Sequence, residues 1–349
     1  MKAITFHGTG DVRVESVPDP RVVDPTDAIV RITTSAICGS DLHQYHGRVP
    51  NMEAGAVMGH EFLGVVEEVG PDVKQVRAGD RVLAPFSVSC GSCEWCRAGL
   101  PTQCATTGRA VFGGRFGKKY PGGQAERIRV PFADYLCEQV PRGMRDEEAF
   151  FLGDILSTGY ACAENAGIRP GDTVAVFGAG PVGLLALQCA HLFGPSRIYA
   201  VDRVDYRLKL AEEMGGVPVN LERGDPAEQL RGLTGGRGPD AVLECVGHEV
   251  PFAQAIRAVR PGGTVSSVGV YVEDAIGFPA REAFFKDLRL VMGICNARNY
   301  IRRLMPLIQT GRLEPTRIIT HTISLGDAPR GYAIFDRKED RAIKVMLKP

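Results

Sequence analysis

Neither sign of charge is in surplus: the 349 residues carry 41 Lys and Arg against 41 Asp and Glu. The basic residues are scattered, which excludes the one-sided field of a polyanion-binding surface and makes nucleic acid a poor partner. Long apolar runs are also missing. Gly, Pro or a charge breaks every hydrophobic stretch short of the roughly 20 residues that a membrane-spanning helix needs, so no membrane partner is expected. No secretory leader is visible either. Met1 to Glu15 alternate polar and apolar and read as a strand, without a basic start or an apolar stretch. A cytoplasmic location is the expectation. No internal repeat or low-complexity tract appears, and the length suggests two domains rather than one core.

Cysteine, by contrast, is plentiful, at ten residues. Cys90, Cys93, Cys96 and Cys104 crowd into one short segment. Without an export signal, such a cluster reads as a metal site rather than as disulfides. All-sulfur tetrahedral coordination points to zinc or to an iron–sulfur centre, and four protein ligands leave no open position, so the ion is structural. Cys137, Cys162, Cys189 and Cys245 sit singly among apolar neighbours and read as packing residues. Cys38 is followed some twenty residues later by His60 and Glu61. Spacing alone leaves two readings open there: a shared metal, or a buried thiol and a hydrogen-bonded histidine.

The first 150 or so residues read as strands, turns and loops. Ala28 to Thr34 and Phe62 to Val69 carry β-branched runs, with turns at Val69-Gly70-Pro71 and Ala78-Gly79-Asp80. The character changes near Phe151. Strands at Thr173 to Phe177, Arg197 to Val201, Ala241 to Cys245 and Thr264 to Val268 join helices at Pro181 to Leu192 and Tyr206 to Met214. Short, nearly all-apolar strands alternating with helices mean a parallel sheet covered on both faces. The last fifty residues hold a helix near Tyr300 to Thr310, two or three strands, and an alternating tail at Ala342 to Leu347.

Gly178, Gly180 and Gly183 form a GxGxxG segment that follows a strand and opens a helix with Pro181 and Val182. The first glycine suits the tight turn, the second a close approach to a pyrophosphate, and the third helix–strand packing. The helix N-terminus offers free N–H groups to phosphates. Asp202 ends the next strand, where a carboxylate accepts from an adenosine ribose and repels the 2′-phosphate of NADP. The neighbouring Arg203 could pair with that phosphate, but the carboxylate occupies the hydroxyl site itself, so NAD is the expected cofactor.

Over nearly its whole length the chain resembles the zinc-containing medium-chain dehydrogenase/reductase family of alcohol dehydrogenases. The matching pieces are Cys38-Gly39-Ser40-Asp41, Gly59-His60-Glu61, the four-cysteine loop, Gly153-Asp154-Ile155-Leu156-Ser157-Thr158-Gly159-Tyr160, and the strand–GxGxxG–helix–Asp unit. The details look most like a bacterial branch of formaldehyde and alcohol dehydrogenases. The resemblance implies an α/β and β fold. A GroES-like β-rich catalytic domain spans residues 1–155 and is completed by the C-terminal return, 296–349. A Rossmann-type, doubly wound parallel-sheet NAD-binding domain spans 156–295.

The resemblance further implies two zinc ions per subunit. Cys38, His60 and Asp154 are the ligands of a catalytic zinc, and Cys90, Cys93, Cys96 and Cys104 those of a structural zinc. The local alternative for Asp154 is a helix cap before Ile155. Glu61 is expected beside the metal, Ser40 as the hydroxyl that takes the substrate's proton, and His43 as the outer end of the proton relay, with His46 a loop residue. The nicotinamide is expected along Val268, Gly269 and Val270, beside Val246 and Gly247, and Lys344 is expected at the cofactor's pyrophosphate. The implied function is hydride transfer between a small alcohol or aldehyde and exchangeable NAD. The alternatives are a polyol or threonine dehydrogenase and, more remotely, an inactive NAD-binding structural or regulatory protein. A homo-oligomer is expected, a tetramer rather than a dimer.

Overall fold

The structure, a computed structural model, describes residues 1–114 and 118–349 and divides into two compact units, Met1–Ser157 with Asn296–Pro349, and Thr158–Cys295.

The first unit is built around the strand Ala28–Ile37, whose β-branched residues suit a pleated surface buried on both faces. It pairs antiparallel with Phe62–Val69, Arg127–Val130 and Lys344–Lys348. The sheet continues outward through Arg81–Leu83 and Glu138–Gln139 on one side and Ile319–Ser324 on the other. A smaller three-stranded sheet joins Asp11–Ser16, Lys2–Gly8 and Ala56–Val57. The C-terminal strand sets Val345 opposite Ile37 and Met346 opposite Ala36, so the end of the chain braces the segment that leads into Cys38. The tail reads as an alternating strand in the sequence, yet Lys344 to Leu347 are all buried. One face, Val345 and Leu347, packs on the helix Ala328–Arg337, and the other carries Lys344 inward.

The second unit is a six-stranded, fully parallel sheet. Its order is Val217–Asn220, Arg197–Asp202, Thr173–Phe177, Ala241–Glu244, Thr264–Ser267 and Arg289–Met292. The strands expected from the sequence lie within one residue of their observed ends. Val217–Asn220 is less visible in the sequence because Pro218 interrupts it, which a strand tolerates at the edge of a sheet. The apolar strand residues Ala175, Phe177, Val201, Val242 and Val265 form the core with Phe252, Ala255 and Ile256 of the helix Glu249–Ala258. Cys137, Cys162 and Cys189 are buried, as packing residues should be. Cys245 is only half-buried, because the strand Ala241–Glu244 has already ended. No helix among the described residues is long and apolar enough to cross a membrane.

Candidate active site and metal centres

Three separate segments of the first unit bring Cys38, His60 and Asp154 together. Cys38 directly follows the strand Ala28–Ile37, His60 precedes Phe62–Val69, and Asp154 lies between the turn Phe150–Gly153 and the helix Ile155–Asn165. One donor atom from each lies within 4.8 Å of the others, and all three residues are buried. Cys38 Sγ is 3.6 Å and His60 Nε2 3.2 Å from Asp154 Oδ2. A tetrahedral zinc with ordinary bond lengths sets an S···O edge of about 3.5 Å and an N···O edge of about 3.3 Å. The donor set therefore fits zinc, and a thiolate, a neutral imidazole and a carboxylate together balance its charge.

The electrostatics of this pocket favour a cation. Burial pushes the Cys38 thiol up, and the charges of Glu61 and Asp154 add to it. Burial opposes charging His60, but the Asp41 and Asp154 carboxylates outweigh it and hold the imidazole well above its ordinary value. Burial would also raise Asp154, yet contact with His60 keeps its carboxyl below the usual range. The cluster has more negative than positive groups, and a divalent ion would complete it.

Asp41 is a functional residue that sequence reasoning passed over. It is fully buried, with Oδ1 3.1 Å from His60 Nδ1 and Oδ2 accepting the Cys38 backbone N–H at 2.9 Å. Oδ1 makes no aligned hydrogen bond among the described residues, but its approach to Nδ1 leaves Nε2 as the nitrogen turned toward Asp154, the side a metal would take. The signal was its place three residues after Cys38, close enough for its side chain to fold back on the backbone.

Ser40 Oγ lies 3.1 Å from His60 Nε2, the same atom that faces Asp154. His43 follows on the short helix Asp41–Tyr45, half-buried. His46, just beyond that helix, pairs instead with Asp336 at 3.0 Å. Glu61 is fully buried and outside the three-residue donor set. Its Oε2 is paired with Lys344 Nζ, and its Oε1 has no hydrogen-bond partner. Lys344, the residue expected at the pyrophosphate, is the partner in this pair. Its ammonium has no exposed surface, donates to Ile37 O at 3.2 Å as well as to Glu61, and lies 5.8 Å from the centre of the Phe150 ring.

The four-cysteine loop gathers its sulfurs around the short helix Glu94–Arg97: Cys90 and Cys93 precede it, Cys96 lies in it and Cys104 follows it. Cys104 Sγ is 3.6 Å from Cys90 Sγ and 3.9 Å from Cys93 Sγ. Four sulfurs around zinc stand about 3.8 Å apart. Backbone N–H groups of Ser92 and Cys93 donate to Cys90 Sγ at 3.5 and 3.4 Å, and that of Cys90 donates to Cys104 Sγ at 3.4 Å. Burial raises the Cys90 thiol, but donors from Thr106, Ser92 and Cys93 prevail and bring it down to about 5. Burial leaves Cys96 raised to about 12. Cys90 and Cys93 are held toward the thiolate and Cys96 is not, and a cation among the four sulfurs would supply the stabilising positive charge that Cys96 lacks.

In the second unit Gly178 takes a left-handed φ of +91°, and a Cβ on Gly183 would overlap the Gly178 carbonyl. Only glycine serves at either place. Gly180, by contrast, faces open space except for an Arg207 guanidinium nitrogen, 3.7 Å from where its Cβ would be. Arg207, on the helix Asp205–Glu213, is a second residue that the sequence did not single out; its signal lay only in following Asp202 by little more than a helical turn. The Asp202 carboxylate accepts from the N–H groups of Ala179 at 2.7 Å, Arg203 at 2.7 Å and Val204 at 3.0 Å, which locks it against the glycine-rich turn. Val246 and Val270 are each 45% exposed at the carboxyl ends of their strands, where open parallel sheets bind ligands. Between them Glu244 is fully buried. It accepts from the N–H groups of Val246 and Gly247 and from Ser267 and Tyr271, fixing that turn.

Residues 24–142 match the alcohol dehydrogenase GroES-like domain, and residues 181–310 match the zinc-binding dehydrogenase family. An alcohol dehydrogenase of Cupriavidus necator is 38% identical, with 100% of this chain and 99% of that protein aligned. A glutathione-independent formaldehyde dehydrogenase of Pseudomonas aeruginosa is 32% identical over 96% of this chain and 94% of its own. Among solved structures, the alcohol dehydrogenase from Thermus sp. ATN1 superposes with a TM-score of 0.93 at 43% identity, covering 100% of this chain and 99% of that one.

Proposed function

The chain belongs to the zinc-type medium-chain alcohol dehydrogenase family and is a zinc-dependent, NAD(H)-linked oxidoreductase, and we propose that it acts on a small alcohol or aldehyde at a zinc held by Cys38, His60 and Asp154. The observation that carries this reading is the convergence of three buried donors of different chemistry at tetrahedral spacing, with the Asp41 carboxylate 3.1 Å from the far nitrogen of His60.

When bound, zinc supplies a Lewis acid that acidifies an alcohol hydroxyl, and NAD supplies the hydride acceptor. The chain's own residues position the reactants and move the proton. Ser40 would take the proton from the substrate hydroxyl while releasing its own toward His43, which passes a proton to solvent, a task suited to a group with an ordinary pKa of about 6.5. Glu61 serves as the charged wall beside the ligands. Gly178, Gly180 and Gly183, with Pro181 and Val182 opening the helix, receive the pyrophosphate; Asp202 takes the adenosine ribose, with Arg203 at its edge. Val246, Gly247, Val268, Gly269 and Val270 flank the nicotinamide. In this scheme residues 1–155 and 296–349 form the catalytic domain and 156–295 the NAD-binding domain.

Two further points belong to the proposal. Thiolate ligands need a reducing compartment, which supports a cytoplasmic location. The edge strand Arg289–Met292 leaves Leu290 and Met292 exposed, as are Phe284 and Phe285, which supports a homo-oligomer formed through such surfaces; a tetramer is what the family resemblance favours. The substrate class is tested by NADH formation with a panel of small alcohols, formaldehyde, sorbitol and threonine. Turnover of the small alcohols, abolished by a zinc chelator and restored by zinc, is the expected result. Turnover confined to sorbitol or threonine would move the chain to the polyol or threonine branch, and turnover confined to formaldehyde to that branch.

A further inference from the structure

A chain of buried polar groups runs from the C-terminal helix to the back of His60. Tyr332, on the helix Ala328–Arg337, has no exposed surface, and its hydroxyl donates to Gln124 Oε1 at 2.7 Å. Gln124 is equally buried. Its Nε2 donates to Ala36 O at 2.9 Å and to Asp41 Oδ2 at 3.0 Å. Asp41 Oδ1 in turn lies 3.1 Å from His60 Nδ1, an ion-pair contact without hydrogen-bond alignment. The order of donors and acceptors permits only this direction. A reversed Gln124 amide would set its oxygen against a carbonyl and a carboxylate, which are acceptors alone, at the cost of two buried hydrogen bonds. The Ala36 carbonyl and the Asp41 carboxylate thus set the amide orientation, and the Tyr332 hydroxyl, kept protonated by burial and the Asp41 charge, donates to the amide oxygen and holds it in place.

The backbone makes room for this arrangement. Gly59 stands immediately before His60 with φ +89°, and a Cβ there would overlap the Gln124 side chain. The main chain at Gln124 is pinned too, its N–H donating to Met58 O at 2.9 Å and its carbonyl accepting from Ile4 N–H at 2.8 Å.

We propose that Tyr332 is a positioning residue which, through Gln124 and Asp41, fixes the His60 ring for metal binding. The inference rests on the reading of Cys38, His60 and Asp154 as zinc ligands, and it ties that site to a helix near the opposite end of the sequence. Outer-shell partners of metal-ligating histidines commonly matter by about 10–100-fold in metal affinity. Tyr332 is two groups further out than Asp41, so the expected effect is smaller.

The test uses full-length zinc-loaded protein and a chromophoric chelator, following zinc release with time. Asp154→Asn identifies the phase that belongs to the three-residue site, because that phase is missing from it. Tyr332→Phe keeps the ring and removes the hydroxyl; it should speed that phase by about 5-fold. Gln124→Leu should speed it more, with a lower melting temperature because it strands buried partners, while release from the four-cysteine loop stays as in wild type. Cobalt substituted at the three-residue site should show an altered visible spectrum in both variants, a signature that a packing role would not change. Tyr45→Phe, whose ring centre lies 5.5 Å from that of Tyr332, should leave release and spectrum unchanged. Wild-type release and an unchanged spectrum in a folded Tyr332→Phe protein would overturn the proposal, as would equal acceleration of both phases. If wild type shows no phase that Asp154→Asn removes, the zinc-site reading itself falls and the proposal with it.

Discussion

Lys344 and Glu61 are both without exposed side-chain surface and form an ion pair with each other. A buried pair of this kind contributes little relative to an apolar pair, but removing one member strands the other. Lys344→Met should therefore destabilise the fold by about 3–5 kcal/mol in denaturant unfolding. A loss below about 1 kcal/mol would show that the pair is solvated in solution. Asp202 makes a different claim. Asp202→Gly removes the acceptor for the ribose and also frees three backbone N–H groups, so NAD affinity should fall while discrimination against NADP relaxes. Comparing kcat/KM for the two cofactors checks this, and an unchanged ratio would remove Asp202 from the selectivity account. At this scale the sequence was least informative where contacts are long-range. Asp41 lies within a segment that the resemblance itself picked out, yet its partner Gln124 is 83 residues away and Tyr332 a further 208. Nothing local in the chain marks either of them as attached to His60.

The four-cysteine loop is an element with little apolar material of its own: Trp95 and Leu100 are exposed, and its one helix spans four residues. Folding of such a loop is coupled to its metal. Cys93→Ala should lose that zinc and lower the melting temperature by more than about 5 °C, while any protein that stays assembled keeps turnover per active site. Retention of both zinc content and melting temperature would rule out the structural role. In the parallel sheet, Asp240 joins the start of one strand to its neighbours. It accepts from the Thr173 N–H and hydroxyl, both at 2.8 Å, from Arg237 at 2.8 Å and from Arg260 at 2.6 Å. Burial alone would raise this carboxyl, but those donors hold it below the ordinary range. A depressed carboxyl contributes in full above its unfolded pKa of about 3.9 and loses that contribution as pH falls toward its folded value. Asp240→Asn should cost about 1–3 kcal/mol near neutral pH, and the gap to wild type should narrow below about pH 4. A gap independent of pH would mean that the charge is not what the network uses. These sheet strands were visible in the sequence because a fully covered parallel strand is an unbroken apolar run. The edge strands were not, since Pro218 breaks one and Arg289–Met292 lacks the apolar cover that marks a core.

Over the whole molecule, two compact units and two metal-ligand clusters follow from one continuous chain, and the C-terminal return contributes Lys344 and Tyr332 to the surroundings of the three-residue site. The four-cysteine site could be read from spacing alone, because four thiols within one loop have few other arrangements. The Cys38–His60–Asp154 site could not: Asp154 lies 116 residues from Cys38, and only resemblance to a family joined them before the fold did. The central claim is that these three residues hold a second zinc on which turnover depends. Zinc per subunit, measured alongside kcat for wild type, Asp154→Asn and Asp154→Cys, tests it most directly. Asparagine keeps the shape of a helix cap but removes an anionic ligand, whereas cysteine restores a charged donor. The account predicts two zinc ions in wild type, one in Asp154→Asn with nearly all turnover lost, and more than one in Asp154→Cys. Two zinc ions and near-wild-type turnover in Asp154→Asn would contradict it.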